Sequence, residues 1–263
     1  MKRAARALVA MACLALIVCG GLGLYKLINE RGAARDSYAA LSIYVQPATT
    51  SAPSTESVEP EPARNWPEVD FAALSALNPD VVGWLMCEDT VLNYPVVQGT
   101  DNDHYLDHLF DGTPSAVGCL FLDSRVEGDF SSRRSIIYGH HMKDGSMFAV
   151  LDGYKEQTFY EEHPTLLLLT PEGAFEAAVF SAYVALTSSE AWRLDFASDA
   201  EYASWLATVS ESSAIDTGLD PTPADRVLTL STCSYEYSNA RLVVHAVLRP
   251  LEEVAETLGS DTA

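Results

Sequence analysis

Arg226-Val-Leu-Thr-Leu-Ser-Thr-Cys233 and, after seven further residues, Arg241-Leu-Val-Val-His-Ala-Val-Leu248 are two runs of β-favouring residues joined by a short polar loop. In the first run, strand alternation puts Val227, Thr229, Ser231 and Cys233 on one face and Leu228, Leu230 and Thr232 on the other. Cys233 ends one strand and Arg241 opens the next. Paired as an antiparallel hairpin, the runs hold thiol and guanidinium together at the loop mouth, where a cation favours the thiolate and can bond an oxyanion. Taken singly, a strand cysteine is more often a buried small hydrophobe and an arginine a surface charge.

Similar short apolar runs, separated by turn residues, precede this hairpin. Strands are predicted at Val81–Leu85, Val91–Val97, Cys119–Leu122, Ser135–Tyr138, Leu166–Leu169 and Ala174–Leu186, and, with the hairpin, at Val227–Thr232 and Leu242–Leu248. Eight short strands imply a mainly β fold, barrel or sandwich. Helical patterns interrupt them at Phe71–Leu77, Met147–Leu151, around Phe159–Glu162 and at Ala200–Val209 after a possible Asp199 cap. There is no internal repeat, and no GxGxxG or P-loop pattern points to a nucleotide.

A thiolate beside a cation still needs a proton donor for a leaving amine, a role that usually falls to histidine. Of the six histidines, His140 and His141 follow Ser-Ile-Ile-Tyr138 and Gly139 at the end of a predicted strand. His245 shares Arg241's face but lies four strand residues further on, roughly 13 Å away. His104, His108 and His163 fall in polar, turn-rich stretches. An adjacent histidine pair is also compatible with a solvated or structural role.

The N-terminal region reads differently. After Lys2, Arg3 and Arg6, no charged residue occurs from Ala7 to Tyr25, a run that spans a hydrocarbon layer of roughly 30 Å if helical. The expected organisation is a basic cytoplasmic segment at 1–6, a signal anchor at 7–28 and an extracellular spacer at 29–65, Ser-, Thr- and Pro-rich from residue 36. A folded domain at 66–250 and an acidic tail at 251–263 follow. The net charge of −21 argues against nucleic-acid partners. Of the five cysteines, Cys87, Cys119 and Cys233 lie beyond the anchor, so an odd thiol remains after any pairing, and their spacing carries no zinc signature.

Thr229-Leu-Ser-Thr-Cys233 with Arg241 resembles the TLxTC…R signature of the sortases, and Tyr138-Gly-His-His-Met142 is similar to their histidine segment. Asn78-Pro-Asp-Val-Val-Gly-Trp84, Asn93-Tyr-Pro-Val-Val-Gln98, Met142-Lys-Asp-Gly-Ser-Met-Phe148 and Asp152-Gly-Tyr154 resemble the class B branch. The likeness runs from about Trp66 to Leu248.

The resemblance implies an eight-stranded sortase-type β-barrel with N-terminal helices and an extra helix in the connection before the cysteine strand. It also implies a cysteine transpeptidase. Cys233 attacks a backbone carbonyl in the C-terminal sorting signal of a surface protein, His140 serves as acid/base with His141 as the fallback, and Arg241 holds the oxyanion, aided by the backbone N–H of Ser234. The resolving amine belongs to a peptidoglycan precursor or, in a pilin polymerase, to a lysine of another surface protein. Asn93, Val97, Tyr138 and Ser231 carry over as substrate-groove residues, each with a plain structural alternative such as core packing or turn formation. The acidic groups that bind calcium in some class A members do not transfer, so neither metal nor cofactor is expected. A non-catalytic, membrane-tethered peptide-binding β-domain is the alternative outside enzymology.

Overall fold

β-Branched and leucine-rich runs that alternate between two buried surfaces cannot remain as open sheet edges, and closing the sheet on itself removes the edges. In the computed structural model, which describes residues 2–48, 66–234 and 239–251, this closure is complete. Helix α1 is Lys2–Leu41, followed by β1 (Val45–Gln46), β2 (Glu68–Val69), α2 (Phe71–Leu77), β3 (Val81–Met86), β4 (Asn93–Val97), β5 (Leu120–Leu122) and β6 (Arg134–Tyr138). Then come α3 (Gln157–Glu162), β7 (Thr165–Thr170), β8 (Gly173–Leu186), α4 (Asp199–Glu211), β9 (Arg226–Cys233) and β10 (Ala240–Pro250), with short 3-10 turns between several of them. The chain divides into a unit ending at Ser42 and a second beginning at Ile43.

The barrel order is β10-β8-β7-β3-β4-β5-β6-β9. All eight expected strands are present, and β1 pairs with β2 as a separate antiparallel ribbon. Two of the barrel's pairings are parallel, β4 with β5 and β6 with β9. Parallel neighbours need long connections. The first runs through residues 98–119 and the second through β7, β8 and α4.

Helix α4 covers one outer face of the barrel, where Tyr202, Trp205, Leu206 and Val209 pack on Phe180, Val227 and Val247. Because Val227 faces α4, alternation turns Thr229, Ser231 and Cys233 the same way, while Leu228 and Leu230 fill the lumen. The cysteine thus stands at the end of a covered strip.

Some local expectations are corrected. The cap of α4 is Ser198, whose Oγ accepts from Glu201 N at 3.2 Å, and Asp199 is the first helical residue, where its charge suits the helix N-terminus. The helical pattern expected at Met147–Leu151 is a 3-10 segment, Phe148–Lys155. Within the expected spacer at 29–65, helix α1 runs on to Leu41 through the strong helix formers Ala33, Ala34, Arg35, Ala39 and Ala40, and Val45–Gln46 form β1. Residues 49–65 and the tail beyond Leu251 lie outside the described residues. So do the side chains of 2–15, which hold much of the apolar run; among the described residues, no helix is long and apolar enough to cross a membrane.

Candidate active site

Cys233 and Arg241 are direct partners in the antiparallel β9–β10 ladder. Parallel pairing of β6 with β9 sets Tyr138 opposite Ser231, so the chain two residues past Tyr138 arrives beside Cys233. That residue is His140. Gly139 makes the turn possible: its N–H donates to Ser231 O at 3.2 Å, and a Cβ there would lie 2.4 Å from Leu120 and 2.7 Å from Phe148.

The His140 ring and the Cys233 thiol act on each other's pKa as side-chain partners, and the ring's Nε2 lies 2.7 Å from Leu106 O. A carbonyl only accepts, so Nε2 carries a proton and Nδ1 is left to the thiol. The bond to His140 holds the Cys233 pKa below its ordinary value; burial opposes this, and the Arg241 guanidinium reinforces it. Conversely, the bond to Cys233 raises the His140 pKa against burial, with help from the Leu106 carbonyl, while Arg241 pulls the other way. Both shifts enlarge the thiolate–imidazolium population near neutral pH. The other thiols of this unit contrast with Cys233: Cys87 and Cys119 are 4% and 1% exposed, and burial raises the Cys87 pKa.

Leu106 reaches His140 because its loop is tied down on both sides. Asn78, just past α2, donates to Tyr105 O–H at 2.9 Å and to Phe110 O at 2.8 Å, and Tyr105 donates to Asp80 at 2.8 Å. Gly118 sits where this loop, the imidazole and the start of β5 converge. Its φ is +64°, and a Cβ would stand 2.7 Å from Tyr105 O, 2.8 Å from Leu106 O and 3.0 Å from His140 Cδ2. Gly118→Ala is therefore expected to displace the carbonyl that orients His140. Turnover should fall by on the order of tenfold, a smaller penalty than the roughly 10²-fold that 1 Å of misplacement can cost. Steady-state kinetics alongside a thermal melt checks this; unchanged kcat in a folded variant would remove the Leu106 carbonyl from the mechanism.

His141, the fallback, is occupied differently. Its Nδ1 donates to the backbone carbonyl of Cys233 at 3.0 Å, and its Nε2 lies 3.5 Å from Asp152, which Lys155 also contacts at 2.9 Å. It holds the cysteine's backbone instead of its thiol. The Ser234 N–H expected at the oxyanion donates to Ala240 O at 3.0 Å, because closing the hairpin consumes it. Arg241 Nη1 donates to the same carbonyl at 3.0 Å, which leaves its other N–H groups to face the site.

Of the four expected groove residues, Val97, Tyr138 and Ser231 share one face of the sheet, and each residue has its own packing or hydrogen-bond partners. Val97 is 0% exposed, and its pairing with Phe121, which pairs with Tyr138, which pairs with Ser231, puts it on the same sheet face as Tyr138 and Ser231. Ser231 is 3% exposed, its Oγ accepting from Trp192 Nε1 at 3.2 Å. Tyr138 is half-buried, with its O–H donating to Asp123 at 2.9 Å. Asn93 is exposed and accepts from Trp84 Nε1 at 2.6 Å. It also lines a cavity of about 530 Å³ with Trp66, Met86, Cys87 and Leu167, whose walls include neither Cys233, His140 nor Arg241. Sequence reasoning missed Leu106, which acts through its backbone, and Trp192, which a long connection brings to Ser231. Among the described residues, no cluster of His, Cys, Asp or Glu is arranged to hold a metal ion.

Comparison with known proteins agrees with this geometry. Residues 85–249 match the family model of the sortase domain. Sortase B of Staphylococcus aureus strain NCTC 8325 is 39% identical over 67% of this chain and 73% of its own length. Sortase B of Listeria monocytogenes is 36% identical over 66% of this chain and 72% of its own length. The solved structure of a Staphylococcus aureus sortase B–substrate complex superposes with a TM-score of 0.66 at 37% identity, covering 68% of this chain and 84% of that one.

Proposed function

The chain belongs to the sortase family as a class B cysteine transpeptidase, and on that premise we propose that it cleaves the C-terminal sorting signal of surface proteins and joins the new carboxyl end to an amine of a peptidoglycan precursor. The observation that carries the proposal is the register that brings His140, two residues past Tyr138, beside Cys233, with Arg241 directly across the hairpin. The Cys233 thiolate forms a C–S bond to the scissile carbonyl, and the C–N bond breaks as His140 gives its proton to the leaving amine. The incoming amine then attacks the thioester, His140 takes its proton, and the thiolate leaves. Arg241 stabilises the tetrahedral oxyanion in both halves. The bound substrate of the Staphylococcus aureus sortase B complex supports a peptide donor for this chain as well.

Incubating the protein with a panel of sorting-signal peptides and reading intact mass tests the donor half. A mass gain on the Cys233 peptide is expected for at least one motif; acylation elsewhere, or nowhere, would overturn the assignment. Adding peptidoglycan-type amines should release the adduct. Transfer only to a lysine side chain of a surface protein would move the assignment to pilin polymerisation.

The apolar run after Lys2, Arg3 and Arg6, together with the 40-residue helix α1, supports a signal anchor with a cytoplasmic N-terminus and an extracellular catalytic unit. Extraction of the full chain from membranes by alkaline carbonate would overturn that placement.

A further inference from the structure

We propose that Arg134 is a positioning residue for substrate selection: its buried guanidinium clamps the turn at 190–193 and thereby fixes Trp192 as a wall beside Cys233. The inference deepens the sorting-signal function proposed above and rests on it for its kinetic consequence.

Arg134, on β6, is 1% exposed in the layer between the barrel and α4. Its partners are all neutral: one Nη donates to the carbonyl of Arg193, and the other to the carbonyl of Ala191 and to Thr229 Oγ1, the latter at 3.0 Å. The guanidinium carbon lies 4.1 Å from the centre of the Trp205 ring. Beyond Thr229, His245 is completely buried and bonds Thr229 Oγ1 through Nδ1 at 2.9 Å, and burial holds its pKa well down, so the layer carries one cation and not two. Burial lowers the Arg134 pKa only to about 10, so it stays charged at neutral pH.

A buried cation without a carboxylate partner is an expensive way to fill a core. Here its bonds converge on one turn. Two backbone carbonyls that would otherwise face the barrel unpaired are satisfied, and Trp205 Nε1 secures a third, Glu190 O, at 3.0 Å. The turn presents Trp192, half-buried, whose Nε1 donates to Ser231 Oγ at 3.2 Å. Ser231 lies two residues before Cys233 on the same strand face, about 7 Å along the chain. The path from guanidinium to carbonyls to indole therefore ends beside the nucleophile. Arg134 itself touches no reacting atom.

Arg134→Met keeps much of the volume and removes the donors. Hydrogen exchange of residues 189–196 is expected to accelerate at least tenfold in this variant while β10 stays protected, and Arg134→Lys should recover only part of the protection, since an ammonium lacks the planar fork. The kinetic counterpart is an increase of about tenfold in KM for the peptide with kcat within twofold, and an unchanged rate of Cys233 alkylation. Trp192→Ala, in which the clamp is intact, should give the same rise in KM, and the double variant little more. Unchanged exchange at 189–196, a KM insensitive to Trp192→Ala, or a parallel loss of kcat and alkylation would each overturn the proposal. Should Arg134→Met fail to fold, Arg134→Lys and Trp192→Ala decide it by the same criteria. If the wild-type protein acylates no sorting peptide, the sorting-signal function fails, and exchange alone judges the clamp.

Discussion

Cys233→Ala is expected to eliminate the thioacyl adduct and to lower turnover by about three orders of magnitude or more, with the fold intact. The thiol stands half-buried at the end of β9, so its loss opens no cavity in the core and the melting temperature should stay close to that of the parent. No other thiol of the catalytic unit can substitute, because Cys87 and Cys119 are almost fully buried. His140→Ala should be nearly as inactive, and it adds a second measurement. The bond to His140 is the largest cause lowering the Cys233 pKa, so without it the alkylation of Cys233 should shift to higher pH, toward the ordinary thiol range. Parent and variant profiles, followed by mass on the Cys233 peptide, provide the comparison. An adduct on the Cys233→Ala protein, or an unshifted profile in His140→Ala, would sink the assignment.

The two halves of this site differ in how much of them the amino-acid order reveals. Cys233 and Arg241 are joined by a local hairpin, and alternation plus loop length suffice to set them opposite each other, as the ladder has them. His140 meets Cys233 only through a parallel pairing across nearly ninety residues, and no local pattern specifies which distant strand pairs with which. Resemblance alone singles it out in the sequence, and in the fold His140 and His141 differ in their partners, one a thiol and the other a backbone carbonyl. The same limit applies to the groove residues. Periodicity places Val97 on a strand, but only the ladder through Phe121 and Tyr138 puts it on the face of Ser231. The Ser234 N–H follows Cys233 directly in the sequence, yet hairpin closure directs it to Ala240 O. Arg134 and Trp192 had no signal, because their roles depend on how the long β8–β9 connection folds back over the barrel.

Arg241→Ala should reduce kcat/KM by about 10²- to 10³-fold, the usual effect of losing an oxyanion donor, with a smaller effect on the thiol itself. The guanidinium is only the third cause of the Cys233 shift, behind the His140 bond and opposing burial, and it also lowers the His140 pKa. Its influence on the resting ion pair is thus partly self-cancelling: it favours the thiolate and disfavours the imidazolium. A group arranged in this way contributes most when negative charge moves from sulfur to the carbonyl oxygen. Alkylation, which forms no oxyanion, should consequently slow far less in Arg241→Ala than acylation by a sorting peptide. Arg241→Lys should recover little, since Nη1 is engaged with Ala240 O at 3.0 Å and the remaining donors of the planar fork are what an ammonium cannot reproduce. Equal slowing of alkylation and acylation would instead make Arg241 a thiolate stabiliser, and the oxyanion would then need another donor, which the Ser234 N–H cannot supply while it closes the hairpin.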